Sequence, residues 1–138
     1  MTSFVDRSGS RRFVGSSDVQ RACSIAVDQN WSKSGGQTVV GFENHSGATF
    51  LGSGVRPIGK VLSGYGNNGK DGMEGARYNN VFCTYSHGCL LPKNPVLADH
   101  ILKTALSRKY GSADLAPLDD AIETAAHDYM AKRLSANA

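Results

Sequence analysis

Two short polar clusters carry the side chains best suited to chemistry. The first is Ser86-His87-Gly88, which stops the apolar run Val81-Phe82-Cys83-Thr84-Tyr85. An imidazole titrates near neutral pH, so a histidine held where a buried strand ends can take up and return a proton. Crevices at strand ends are also where open α/β sheets bind ligands. The same ring could instead cap the strand or hydrogen-bond locally. The second cluster is Glu43-Asn44-His45, followed by Ser46-Gly47 and preceded by Thr38-Val39-Val40-Gly41-Phe42. A carboxylate, an amide and an imidazole side by side can form a site wall; equally, such residues can satisfy the backbone of a turn.

Thiol and metal chemistry are less well supported. Cys23, Cys83 and Cys89 are odd in number and lack C-x-x-C spacing, which speaks against a disulfide framework or a zinc site. The glycine-rich stretch 63–78 is not a phosphate loop, because Gly69-Lys70 is followed by Asp71 where Ser or Thr is required. Asp71 and Glu74 lack the alternating ligand positions of a calcium loop. Neither a metal nor a cofactor is expected. The stretch reads as a flexible hairpin loop able to bring backbone close to a partner.

The elements that must position these groups follow from periodicity. Residues 1–17 are polar, with Arg11-Arg12-Phe13-Val14-Gly15 among them. A strand is expected within 18–27, a loop with Trp31 over 29–37, and a β-branched strand over 38–42. Residues 48–51 and 55–62 read as a strand pair across Gly52-Ser53-Gly54. Asn94 and Pro95 open a helix whose apolar stripe is Leu97, Ile101, Leu102, Ala105 and Leu106, stopped by Gly111. Pro117 is expected to open a second helix with Leu118, Ile122, Ala125, Tyr129, Met130 and Leu134 on its buried face. His100 and His127 lie in these helices as surface or partly packed residues.

With 138 residues, 40% hydrophobic and 20% charged, the chain suits one globular core. A net charge of +3 with scattered Lys and Arg gives no basic stripe for nucleic acid. No apolar run approaches the ~20 residues of a membrane span, and no signal-peptide pattern opens the chain. A cytoplasmic protein with no transmembrane segment is therefore expected.

The run Val39-Val40-Gly41-Phe42-Glu43-Asn44-His45-Ser46-Gly47 resembles a hallmark of the class I glutamine amidotransferases of the cobyric acid synthase type. Within that family the resemblance is to the glutaminase subunits of lipid II isoglutaminyl synthase. The match continues in order through Gly64-Tyr65-Gly66-Asn67-Asn68, Asp71, Glu74-Gly75, Thr84-Tyr85, His87-Gly88 and Leu91-Pro92-Lys93-Asn94-Pro95. The resemblance implies a bacterial cell-wall enzyme that hydrolyses glutamine, passing ammonia to a Mur-ligase-like synthetase partner (MurT type) that binds ATP and lipid II. It places His87 on the family's catalytic histidine and Arg12 on an arginine associated with glutamine binding. A guanidinium suits a bidentate grip on the substrate α-carboxylate.

Two departures qualify this reading. The family nucleophile sits in a glycine-rich strand-to-helix elbow, and Cys23, Cys83 and Cys89 have no such surroundings. The position two residues after His87, often Glu in the wider class, is Cys89; the resemblance implies that the synthetase supplies the acidic group. The fold class implied is α/β: the C-terminal half of a three-layer amidotransferase fold, with short strands followed by two helices. Residues 1–138 are thus expected to form one partial domain without the elbow. The alternatives are a non-catalytic fragment that binds the synthetase, or a relative that amidates cobyric or cobyrinic acid.

Overall fold

The computed structural model describes residues 21–27 and 37–136. Arg12, Trp31 and the polar start lie outside the described residues. Among the described residues seven strands precede two helices: β1 Arg21–Val27, β2 Thr38–Glu43, β3 Gly59–Ser63, β4 Met73–Glu74, β5 Ala76–Tyr78, β6 Val81–Cys83 and β7 Ser86–His87, then α1 Pro95–Tyr110 and α2 Ala121–Ser135. The architecture is mixed α/β, as the sequence suggests. Five strands form one sheet in the order β4-β3-β1-β2-β7, and every neighbouring pair is antiparallel. β5 and β6 form a separate hairpin, turned at Asn79 with φ 52°.

β2 lies between β1 and β7, and its alternation serves both faces of the sheet. Val39 points into a core cluster with Ile58 and Leu97, against which Val61, Phe82, Leu90 and Ile101 pack. Val40, fully buried, points the other way, as does Thr38, whose hydroxyl lies 2.9 Å from His127 Nε2 on α2. One face therefore carries α1 and the hairpin, and the other carries α2.

Three strand expectations change. The run 81–85 is not a buried sheet strand: β6 ends at Cys83, belongs to the hairpin, and leaves Val81 58% exposed. His87 instead enters the main sheet through the two-residue β7. Residues 48–51 form no strand, because Thr49 N–H bonds the carbonyl of Asn67 in the glycine-rich loop. Only Gly59–Ser63 of the second expected strand joins the sheet.

α1 spans the expected residues, with Pro95 in its first turn and Gly111 closing it at φ 81°. Of its expected stripe only Leu97, Ile101 and Leu106 are at least partly buried, while Leu102 and Ala105 are exposed. Asn94, however, does not cap the helix through its side chain. Its amide accepts from Val40 N–H at 2.9 Å and donates to Val40 C=O at 2.8 Å and to Leu90 C=O at 2.6 Å. β7 pairs with β2 only at Phe42 and Glu43, and the chain then turns away through Gly88 and Cys89, both at positive φ. The Asn94 amide replaces the peptide that the departing strand would have offered to Val40.

α2 departs furthest from expectation. It starts at Ala121 rather than Pro117, with Asp120 as N-cap. Leu118, Ile122 and Tyr129 are 79%, 82% and 64% exposed, so these members of the expected buried face point outward with Ala125, while Met130 and Leu134 face inward as expected. The inner face carries Asp120, Glu123, His127, Met130, Ala131 and Leu134, all at least partly buried. His127 decides the orientation. Its Nδ1–H donates to Lys93 C=O at 3.0 Å and Asn94 Oδ1 at 3.1 Å, while Nε2 meets Thr38. Turning the apolar stripe inward would break all three contacts.

Two substitutions separate these faces. Leu97→Ala is expected to cost about 2–5 kcal/mol, the range for truncating a buried aliphatic side chain. Ile122→Ala in dilute protein should change stability by no more than about 0.5 kcal/mol, as for an exposed site. Urea titration of both variants checks this; an Ile122→Ala loss as large as that of Leu97→Ala would contradict the outward face.

Candidate functional site

β2 and β3 each run antiparallel to β1, so their C-terminal ends reach the same edge of the sheet. β1 begins there at Arg21, opposite Glu43. β7 enters at that edge as well, with Ser86 opposite Glu43 and His87 opposite Phe42. The structure thus brings Glu43 and His87 to one edge, as the sequence suggested. The cause differs: the end of β2 meets the start of an antiparallel strand, not the end of a parallel one. His87 is exposed, with its backbone held in β7. Beside it, Lys93 Nζ lies 4.7 Å from the centroid of the Phe42 ring and donates to Gly88 C=O at 3.4 Å.

Two buried carboxylates brace this edge. Glu43, 3% exposed, accepts from Tyr65 N–H at 2.7 Å and Gly66 N–H at 2.8 Å, spanning from β2 to the loop after β3. Successive backbone N–H groups converging on one anion form a nest, and here the anion belongs to the protein. Glu74, fully buried, accepts through Oε1 from the Thr84 hydroxyl at 2.5 Å and from Tyr85 N–H at 2.8 Å. Thr84 Oγ1 in turn accepts from Ser86 N–H at 2.9 Å. Glu74 Oε2 is buried and has no hydrogen-bond partner among the described residues. The segment leading to His87 is therefore tied to a carboxylate in β4.

The glycine-rich loop is braced rather than loose, which corrects the flexible hairpin expected from its composition. Asn67 donates to Gly75 C=O and accepts from Gly75 N–H, both at 2.9 Å. Asn68 Oδ1 accepts from Lys70 N–H and Asp71 N–H, while its amide donates to Thr49 C=O and Asp71. Glycine is required at two points of closest approach. A Cβ on Gly66 would lie 2.5 Å from Met73 O, and one on Gly75 2.8 Å from Cys83 O, both at positive φ. The Asn68 amide, helped by Met73 N–H, holds the Asp71 carboxyl below its ordinary value of 3.8.

His45 and Asn44 complete the inventory at this edge. The His45 ring stacks on Tyr85, with centroids 3.7 Å apart and planes within 8°. Its Nδ1 lies 2.9 Å from Gly47 C=O, an acceptor, so Nδ1 carries the proton. The Tyr85 hydroxyl lies 2.8 Å from that of Thr49. Asn44 is exposed. Glu43 and His45 thus satisfy backbone groups, as the turn reading had it, while sitting beside the His87 strand. Arg12 lies outside the described residues. Cys83 and Cys89 are free and exposed. No group of three or more metal-ligating side chains occurs among the described residues.

Sequence reading passed over Glu74, Asn67 and Tyr85 as parts of this edge, and took Asn94 for a helix cap. A signal was present in the first two. A glycine-rich chain offers many backbone groups, and polar side chains spaced through it can satisfy them.

Matches to known proteins identify the family. Residues 8–95 match the CobB/CobQ-like glutamine amidotransferase domain, and the chain belongs to that family. It is 48% identical over 75 residues to the lipid II isoglutaminyl synthase (glutamine-hydrolyzing) subunit GatD of Streptococcus pneumoniae. To the subunit of the same name from Staphylococcus aureus it is 49% identical over 72 residues. These alignments take in 54% and 52% of this chain but only 29% of each relative. A probable cobyric acid synthase of Methanothermobacter thermautotrophicus is 47% identical over 53 residues, 38% of this chain and 10% of that relative.

Two measurements test the bracing and the electrostatics. Glu74→Ala should cost about 1–3 kcal/mol, because it leaves the part-buried donors of Thr84 and Tyr85 without their acceptor. Amide exchange should quicken at Tyr85 and Ser86 more than at Val39; equal effects would show only general loosening. His100, edge-on to Phe82 with centroids 5.8 Å apart, has its pKa lowered below 6.5 by burial and by the charge of Arg77. Its contribution is complete above 6.5 and is lost as the pH falls through the lowered folded value, because the unfolded chain protonates first. Urea midpoints at about pH 7 and about pH 5 should therefore differ less in His100→Gln than in the parent protein.

Proposed function

We propose that this chain is the histidine-bearing part of a glutaminase that supplies ammonia for amidation of the D-glutamate α-carboxylate in the lipid II stem peptide. The two subunits of isoglutaminyl synthase, each nearly half identical over half of this chain, support that reading most directly. The archaeal cobyric acid synthase aligns over less of the chain, so amidation of a corrinoid acid is the second reading.

In the proposed reaction a cysteine thiolate attacks the glutamine amide carbonyl, ammonia leaves, and water releases glutamate from the acyl-enzyme. His87 takes the thiol proton and returns one to the departing nitrogen. Its exposed position on a strand held by Ser86–Glu43 pairing and by the Glu74 bonds suits that role. Arg12 would hold the substrate carboxylate, with Glu43, Asn44 and His45 as the neighbouring wall. The thiolate comes from a polypeptide carrying the cysteine elbow, since none of Cys23, Cys83 or Cys89 has elbow surroundings. A Mur-ligase-like synthetase would receive the ammonia, using ATP and lipid II. No helix among the described residues is long and apolar enough to cross a membrane. The cytoplasm, where such a synthetase would find its ATP, is the proposed compartment.

The expected outcome is that the chain alone releases no ammonia from glutamine. General acid–base help from one imidazole is worth only about 10²–10⁴-fold. Adding an elbow-bearing half should restore turnover, and His87→Ala should then remove it, while Cys23→Ser, Cys83→Ser and Cys89→Ser leave it largely intact. Ammonia release by the chain alone, abolished by replacing one of its own cysteines, would make that cysteine the nucleophile instead.

A further inference from the structure

We infer that the outer face of α2 is a self-association surface, on which two copies of this chain pair with their α2 helices antiparallel. The stripe is Ile122, Ala125 and Tyr129, with Leu118 in the segment leading in. Leu118, Ile122 and Tyr129 are among the most exposed large apolar side chains described. The helix is held to the sheet by its opposite face, through His127 and Leu134, so nothing within the described residues covers the stripe.

Charge and shape favour a second copy. Of the acids at the start of α2, Asp119 is exposed on the side of the stripe, while Asp120 and Glu123 belong to the inner face; Lys132 and Arg133, both exposed, lie in the last turn. Laid antiparallel against itself, the helix sets an acidic end against a basic end twice, and the opposed helix dipoles add to this. A parallel arrangement would set like charge against like. The apolar positions are self-complementary about the same axis: Ile122 faces Tyr129 of the other copy, and the small Ala125 sits at the crossing, where backbones must approach. A two-fold interface requires that kind of self-matching patch.

The test uses the full 138-residue chain in sedimentation equilibrium and light scattering. A monomer–dimer equilibrium is expected. Ile122→Glu should weaken it by roughly tenfold or more, since it forces an unpaired charge into the contact, with the circular dichroism unchanged because Ile122 touches no core. Tyr129→Glu serves as an independent second variant. Asp119→Arg or Arg133→Asp alone should also weaken the dimer, and the two together should recover it. A chain that stays monomeric as its concentration rises overturns the inference. So does a dimer indifferent to Ile122→Glu and Tyr129→Glu. A dimer that the double charge exchange fails to recover overturns the antiparallel pairing. Association only with a different protein would assign the stripe to that partner and equally overturn it.

Discussion

One side-chain amide holds the two halves of this structure in register. Asn94 stands between the last strand and the first helix, and bonds both backbone groups of Val40 in the middle of the sheet. β7 is too short to serve Val40, and without Asn94 a fully buried peptide would keep neither partner. An unpaired buried N–H or C=O costs about as much as the net stability many contacts provide. The same amide oxygen accepts a hydrogen bond from His127 Nδ1–H, so α2 depends on it as well. Strand edge, α1 start and α2 orientation therefore share a single residue.

The candidate edge repeats that device with carboxylates. Glu43 ties β2 to the glycine-rich loop, and Glu74 ties β4 to the segment before His87. Both are buried acids that bond backbone N–H groups, Glu74 adding the Thr84 hydroxyl. Such bonds fix where the chain runs, because a backbone N–H has no rotamer with which to follow a shifted acceptor. His87 sits between these two anchors, exposed on a strand of two residues that would otherwise have little to hold it.

Much of this was legible in the sequence. Thr38–Glu43 is a β-branched strand bounded by glycines, and α1 carries Pro95 and Gly111 at the ends where helices favour them. The blocks around Glu43 and His87 could be recognised as belonging together before any geometry was known. What failed was the inference from apolarity to burial. Val81-Phe82-Cys83 looks like a core strand but forms a hairpin of its own, and the best apolar stripe on α2 faces outward. Periodicity shows that a helix has two faces. It does not show which one docks when a single histidine can make three polar contacts on the other. The glycine-rich loop was misjudged for a related reason. Composition counts the freedom of glycine and misses the asparagines that take the freedom away.

The division of labour between the two helices has a thermal consequence. α1 meets the sheet through Leu97 and Ile101, an apolar contact whose strength fades on cooling. α2 adds to its apolar contact at Leu134 the hydrogen bonds of His127, and a polar contact of that kind carries little of the heat-capacity change that bends a stability curve. The two layers on either side of one sheet thus answer temperature differently. Chilling therefore weakens the apolar contact of α1, a loss that the His127 hydrogen bonds on the other side of the sheet do not share.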